Sequence, residues 1–121
     1  MKEKMKISGA ELEVLQVLWE AKEPLKIQDV CDRLKNKKWK YNTVGTLLLR
    51  MAEKGAVAWE KKNRMIYYRP LWDRKVYQKE QTENLINKLY HGSVKELTVS
   101  LFQRGEMTKE DLEDIRKMFD L

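Results

Sequence analysis

A mainly helical chain carrying one small β-hairpin is the predicted fold class, and three features predict it. Apolar residues recur at the 3.6-residue spacing of helices along most of the 121 positions, whereas between Val57 and Arg69 the period drops to 2. Turn and capping residues fall at the joints of that pattern: Ser8, Pro24, Gly55, Pro70, Ser93 and Thr108. Positive charge gathers around the third helix and the hairpin.

Ser8 and Glu11 form an S-x-x-E capping box ahead of Leu12, Leu15, Val17, Leu18 and Trp19, so a first helix is expected from about Gly9 to Ala21. Pro24 closes that connection. Ile27, Val30, Cys31 and Leu34 repeat at i, i+3, i+4 and i+7, which predicts a second short helix with Cys31 on its buried face as a small core residue. The segment KNKKWKYN leads into the third helix in a helix-turn-helix relation, with Trp39 packed under the turn as an anchor rather than a base-stacking ring.

The third helix has two unlike faces. Val44, Leu47, Leu48 and Met51 form a core stripe, while Thr43, Thr46 and Arg50 recur on the other side. A plain solvated face is more often filled with Glu and Lys at salt-bridging intervals; short hydroxyls let a helix backbone approach another surface closely. Asn42 is expected as the N-cap and Gly55 as the C′ stop. That gives a helix of roughly 12 residues, about 18 Å long, which fits along a DNA major groove. It reads as a recognition helix.

After Gly55, Val57 and Trp59 alternate with Ala58 and Glu60, and Met65, Tyr67 and Arg69 alternate with Ile66 and Tyr68, the pattern of a β-hairpin. Its turn, Lys61, Lys62, Asn63 and Arg64, presents three cations; the plainer alternative is a solvated turn. Three helices followed by a basic-tipped hairpin make a winged helix, with the wing against the DNA backbone or minor groove. The candidate DNA-binding residues are Lys40, Tyr41, Asn42, Thr43, Thr46, Arg50, Lys61, Lys62 and Arg64.

Pro70 ends the hairpin, and Asp73 is placed to cap a long fourth helix with Val76, Leu85, Ile86 and Leu89 as candidate buried positions, ended by His91 and Gly92. Ser93 with Glu96 makes a second capping box, opening a helix with Val94, Leu97, Leu101 and Phe102; Thr108 with Asp111 opens another with Leu112, Ile115, Met118 and Phe119. Three short helices with strong apolar stripes are completed most simply by the same trio from a second copy. Residues 1–72 are therefore expected as the DNA-binding domain and 73–121 as a helical dimerisation domain, using Val76, Leu85, Ile86, Leu89, Leu97, Leu101, Phe102, Leu112, Ile115 and Phe119.

Charge supports that division. Residues 1–72 carry 16 Lys and Arg against 9 Asp and Glu, whereas residues 73–121 carry 9 against 10. From Arg33 to Arg64 ten cations face only Glu53 and Glu60, a greater excess than the +6 of the whole chain. Lysine-rich loops can simply keep a protein soluble, but this run brackets the proposed recognition helix. A winged helix contacting a protein partner through Thr43, Thr46 and Arg50 is the competing function, and the localised charge argues against it. One His and one Cys, both isolated, leave no nucleophile and base pair, so no enzyme is expected. The carboxylates at 110, 111, 113 and 114 read as a helix start complementing the macrodipole. No cofactor, disulfide, cysteine-based zinc site, signal peptide or membrane span is expected, and the compartment is expected to be the cytoplasm.

The stretches ISGAELEVLQVLW and NTVGTLLLRMAEKG, a wing ending in YYRP, and the tail INKLYHGSVKELTVSLFQRGEMTKEDLEDIRKMF together resemble the penicillinase-repressor family, which includes β-lactamase and methicillin-resistance repressors and copper-responsive relatives. The resemblance spans nearly the whole chain, and the pattern T-x-x-T-L-L-x-R-M-x-x-K-G is fairly specific. It implies a homodimeric winged-helix repressor of resistance genes that binds a palindromic operator and is inactivated, when a membrane receptor senses a β-lactam, by cleavage in the dimerisation region. It also implies DNA contacts from Asn42, Thr43, Thr46 and Arg50. The chain departs from the family pattern at Gly45, where some members have a longer DNA-contacting side chain, and at Tyr41, where some have proline. The family's cleaved Asn-Phe bond corresponds here to Leu101-Phe102, with Phe kept and Asn replaced. The copper-responsive members carry a cysteine-rich motif near the C-terminus, whereas residues 103–121 contain neither Cys nor His, so metal induction of that kind is not expected. A family repressor answering to a different inducer remains the nearest alternative.

Overall fold

The computed structural model describes residues 6–34, 39–105 and 107–119, with the backbone alone described at 118 and 119. Six helices and one hairpin follow in the order α1 (Gly9–Glu20), α2 (Ile27–Arg33), α3 (Tyr41–Glu53), β1 (Val57–Lys62), β2 (Met65–Pro70), α4 (Arg74–Leu89), α5 (Val94–Gln103) and α6 (Lys109–Phe119). The chain divides into two compact units, residues 1–74 and 75–121.

In the first unit, the capping box at Ser8 forms as the S-x-x-E spacing predicts: the Glu11 amide donates to Ser8 Oγ at 3.1 Å and the Ser8 amide donates to Glu11 Oε1 at 3.0 Å. A similar reach opens α2, where the Lys26 amide donates to Asp29 Oδ2 at 3.1 Å. α3 ends in a Schellman motif: Gly55 takes φ +79, its amide bonds Ala52 O, and the Ala56 amide bonds Met51 O. These three caps set where the helices begin and stop, so their apolar stripes can face one another.

The core they enclose is built from Val14, Leu15 and Leu18 of α1, Val30 of α2, Val44, Leu48 and Met51 of α3, and Ala56, Val57 and Tyr68 at the root of the hairpin. Trp39 packs against it from the α2–α3 connection, the anchoring role expected of it. Trp19 also does so, and its Nε1 donates to Trp72 O at 2.8 Å, binding the segment after the hairpin to α1. Cys31 is half-buried rather than sealed in, because α2 is only two turns long and one side of it remains at the surface. Burial, and then the neighbouring Asp32 carboxylate, push its thiol pKa up.

β1 and β2 pair antiparallel in the register Val57↔Pro70 through Lys62↔Met65. Leu25 adds a single-residue bridge, exchanging two backbone hydrogen bonds with Tyr68 at 2.9 and 2.7 Å. The expected turn is tighter than its sequence suggested. Lys61 and Lys62 belong to β1, and only Asn63 and Arg64 form the loop, both with positive φ (52° and 68°), the conformation of a two-residue hairpin loop whose twist matches the strands.

In the second unit, α4 stops where His91 and Gly92 turn left-handed, and the Gly92 amide returns to Ile86 O at 3.1 Å. The second capping box forms only in its forward half. Ser93 Oγ accepts from the Glu96 amide, but the Ser93 amide donates to Tyr90 O, which occupies the donor the box would use. Thr108 and Asp111 form the reciprocal pair in full, both bonds at 3.0 Å. Of the four apolar positions expected to be buried on α4, Ile86 is buried, whereas Val76, Leu85 and Leu89 are exposed. Phe102 is exposed too, Leu97, Leu101, Leu112 and Ile115 are half-buried, and the Phe119 side chain lies outside the described residues. Three short helices enclose too little volume to cover all their own stripes.

Candidate nucleic-acid interface

α3 presents its two faces as the sequence pattern requires. Val44, Leu47, Leu48 and Met51 are buried, and Asn42, Thr43, Thr46 and Arg50 are exposed along the opposite side. Asn42 is not the cap. The helix starts two residues earlier, at Tyr41, with Lys40 in extended backbone as the N-cap and its carbonyl accepting from the Val44 amide at 3.1 Å. The cap role therefore falls to a residue with no side-chain acceptor, and Asn42 lies within the first turn on the exposed face, with Tyr41 and Lys40 exposed beside it.

Thr46 Oγ1 donates to Asn42 O at 2.9 Å, one turn back. Its proton is thereby used, and what it offers outward is an oxygen acceptor and a methyl, both held on a stiff β-branched side chain. Arg50 lies one further turn along and offers a guanidinium fork suited to a phosphate. Asn42, Thr46 and Arg50 thus form one i, i+4, i+8 row: an amide that both donates and accepts, a fixed acceptor and a cation.

The hairpin supplies the flanking charge. Lys61, Lys62 and Arg64 are all exposed at its outer end, while its root is held by Val57 and Tyr68 in the core. Burial, and then the nearby Tyr41 phenol, push the Tyr68 hydroxyl pKa up. The cations at 35, 37 and 38 lie outside the described residues.

Two residues that matter here were not singled out from the sequence. Lys54, the C-cap of α3, is joined to buried Glu11, and Leu49 is 54% exposed on the outer side of α3. Lys54 sits four residues beyond Arg50 and reads as one more surface cation; only the approach of α1 shows otherwise. Leu49 breaks the polar pattern of the exposed side and could have been noticed for that reason. Among the described residues no cluster of His, Cys, Asp and Glu could hold a metal ion, and no helix is long and apolar enough to cross a membrane.

The penicillinase repressor family model matches residues 7–120. The chain belongs to that family. Its members are repressors of transcription, not enzymes. The chain is 26% identical to the penicillinase repressor of Bacillus licheniformis over 120 residues, covering 99% of this chain and 94% of that one. It is 25% identical to the methicillin resistance regulatory protein MecI of Staphylococcus aureus (strain N315) over 115 residues, covering 94% and 93%. In three dimensions it is similar to the monomeric form of Bacillus licheniformis BlaI in complex with the blaP half-operator, at 37% identity and a TM-score of 0.52, covering 62% of this chain and 92% of that one. Lactococcus lactis ZitR, at 17% identity and a TM-score of 0.50 over 99% of this chain and 75% of that one, shares the fold.

Proposed function

We propose that this repressor is a homodimer that binds a palindromic DNA operator, with α3 of each protomer in a major groove and the wing beside it. The exposed Asn42–Thr46–Arg50 row, flanked by the wing cations, is the observation that carries this reading. Asn42 and Thr43, in the first turn, contact base edges or phosphate, and Arg50 clamps a phosphate. Lys40, Tyr41, Lys61, Lys62 and Arg64 add contacts around them. BlaI was observed on a half-operator, which supports DNA binding by this chain.

Residues 73–121 form the dimerisation domain in this reading, through the apolar positions that one protomer leaves uncovered on α4, α5 and α6. Pairing two half-site binders raises avidity by about 10² to 10⁴, and counterion release makes binding steeply salt-dependent. The regulated genes confer β-lactam resistance, as the names of the relatives suggest, and the protein acts in the cytoplasm. Repression is relieved when a receptor-linked protease cuts Leu101-Phe102. That bond lies in the last turn of α5, where a helix frays at least cost, and Phe102 is exposed there. Cutting it removes α6 and leaves winged-helix domains that bind weakly as monomers.

Selection from a randomised duplex library, followed by binding of the winner at two salt concentrations, tests the operator. A palindrome is expected; Arg50→Ala weakens every duplex and lowers the salt slope by about 1, and Thr46→Ala relaxes one base position. If no motif is recovered and both variants match the parent, α3 does not read DNA. Digests of induced cells test the relief step: a fragment ending at residue 101 is expected, and intact chain alone rules it out.

A further inference from the structure

Beside the polar row of α3 runs a second row at the same four-residue spacing: Tyr41, Gly45 and Leu49. Tyr41 is 53% and Leu49 54% exposed, so two large apolar side chains stand out from the surface with a glycine between them. Neither the backbone nor the packing demands that glycine. Gly45 has no positive φ, and a Cβ placed on it would meet only Ile27 Cδ1 of α2, at 3.4 Å, the edge of ordinary contact. Glycine is also among the least favourable residues inside a helix. The glycine therefore leaves a notch in the row between Tyr41 and Leu49, beside the Ile27 methyl and next to the row of Asn42 and Thr46 along the helix surface.

We propose that this notch receives the C5-methyl group of one thymine in each operator half-site, making Gly45, Tyr41 and Leu49 determinants of sequence specificity. The inference rests on the DNA-binding reading above. In the major groove thymine alone among the four bases presents a methyl, and apolar side chains are what read it. The polar row hydrogen-bonds base edges and phosphate; the apolar row adds a contact whose specificity is a matter of shape. A side chain at position 45 would fill the space the methyl occupies.

The test uses the full-length protein and the operator duplex recovered by selection, with each thymine of a half-site replaced in turn by deoxyuridine, which removes only the methyl. At one position deoxyuridine weakens binding about fourfold, the effect of burying one such group. Gly45→Ala abolishes the thymine–deoxyuridine difference at that position, and Leu49→Ala reduces it, while both variants keep the parent's helical circular dichroism. Selective duplex binding that is indifferent to every thymine methyl, half-sites without thymine, or a Gly45→Ala protein that keeps the difference overturns the notch and leaves DNA recognition standing. Absence of any selective duplex binding overturns the DNA-binding reading, and the notch with it.

Discussion

Lys54 Nζ sits 2.8 and 3.1 Å from the two carboxylate oxygens of Glu11 and also donates to Lys6 O at 2.9 Å, tying the C-cap of α3 to the first turn of α1. Glu11 is 3% exposed, so its charge depends on that partner. Lys54→Met leaves a buried carboxylate unpaired and costs about 1–3 kcal/mol. A fall of several degrees in the melting temperature of the winged-helix unit is the expected outcome, and an unchanged midpoint would show that the pair contributes nothing.

The same pair makes stability depend on acid. Burial alone would raise the Glu11 pKa, but the Lys54 ammonium and the amide and hydroxyl of Ser8 outweigh it and hold the carboxyl below its ordinary value of 4.5. A carboxyl depressed in the folded state contributes stability that is fully present above the unfolded pKa and is lost as pH falls through the folded one. Melting temperatures should therefore decline below about pH 4.5, and Glu11→Gln should flatten part of that decline. A variant with the parent's pH profile would assign the acid sensitivity to other groups.

At the wing tip Arg64 holds φ 68°, a conformation glycine adopts freely and a long side chain does not. Arg64→Gly should stabilise the hairpin by up to about 1 kcal/mol while weakening duplex binding and lowering its salt slope by about 1. Thermal melts and salt titrations on the same preparation would reveal this opposition. Loss of stability in the variant would mean that Arg64 holds the turn together and is not kept for its charge.

Leu89 is 64% exposed, so a charge there disturbs no packing within the chain. If the proposed homodimer forms through residues 73–121, Leu89→Glu should leave the helical signal intact and convert it to monomer in sedimentation, with operator binding weakened at least tenfold. A dimer that survives the change would place the interface elsewhere.

The helices, the caps at Ser8, Gly55 and Thr108, and the hairpin are legible in the sequence because each is set by local spacing. Ser8 and Glu11 lie three residues apart, Gly55 follows the last apolar residue of α3, and the change of period at Val57 marks the strands. The exposed Thr43, Thr46 and Arg50 could be read in the same way, since a helix turns each residue through a fixed angle. Two details close at hand escaped: the start of α3 at Tyr41 and the two-residue loop at Asn63 and Arg64. Backbone angles decided both, and residue preferences at helix and turn boundaries are too weak to do so. Tertiary structure alone decided that Lys54 is a partner of Glu11 and not a surface cation, that Leu25 pairs with Tyr68, and that Gly45 faces Ile27. Those relations join residues far apart in the chain, and only the packing of one element on another brings their atoms within reach.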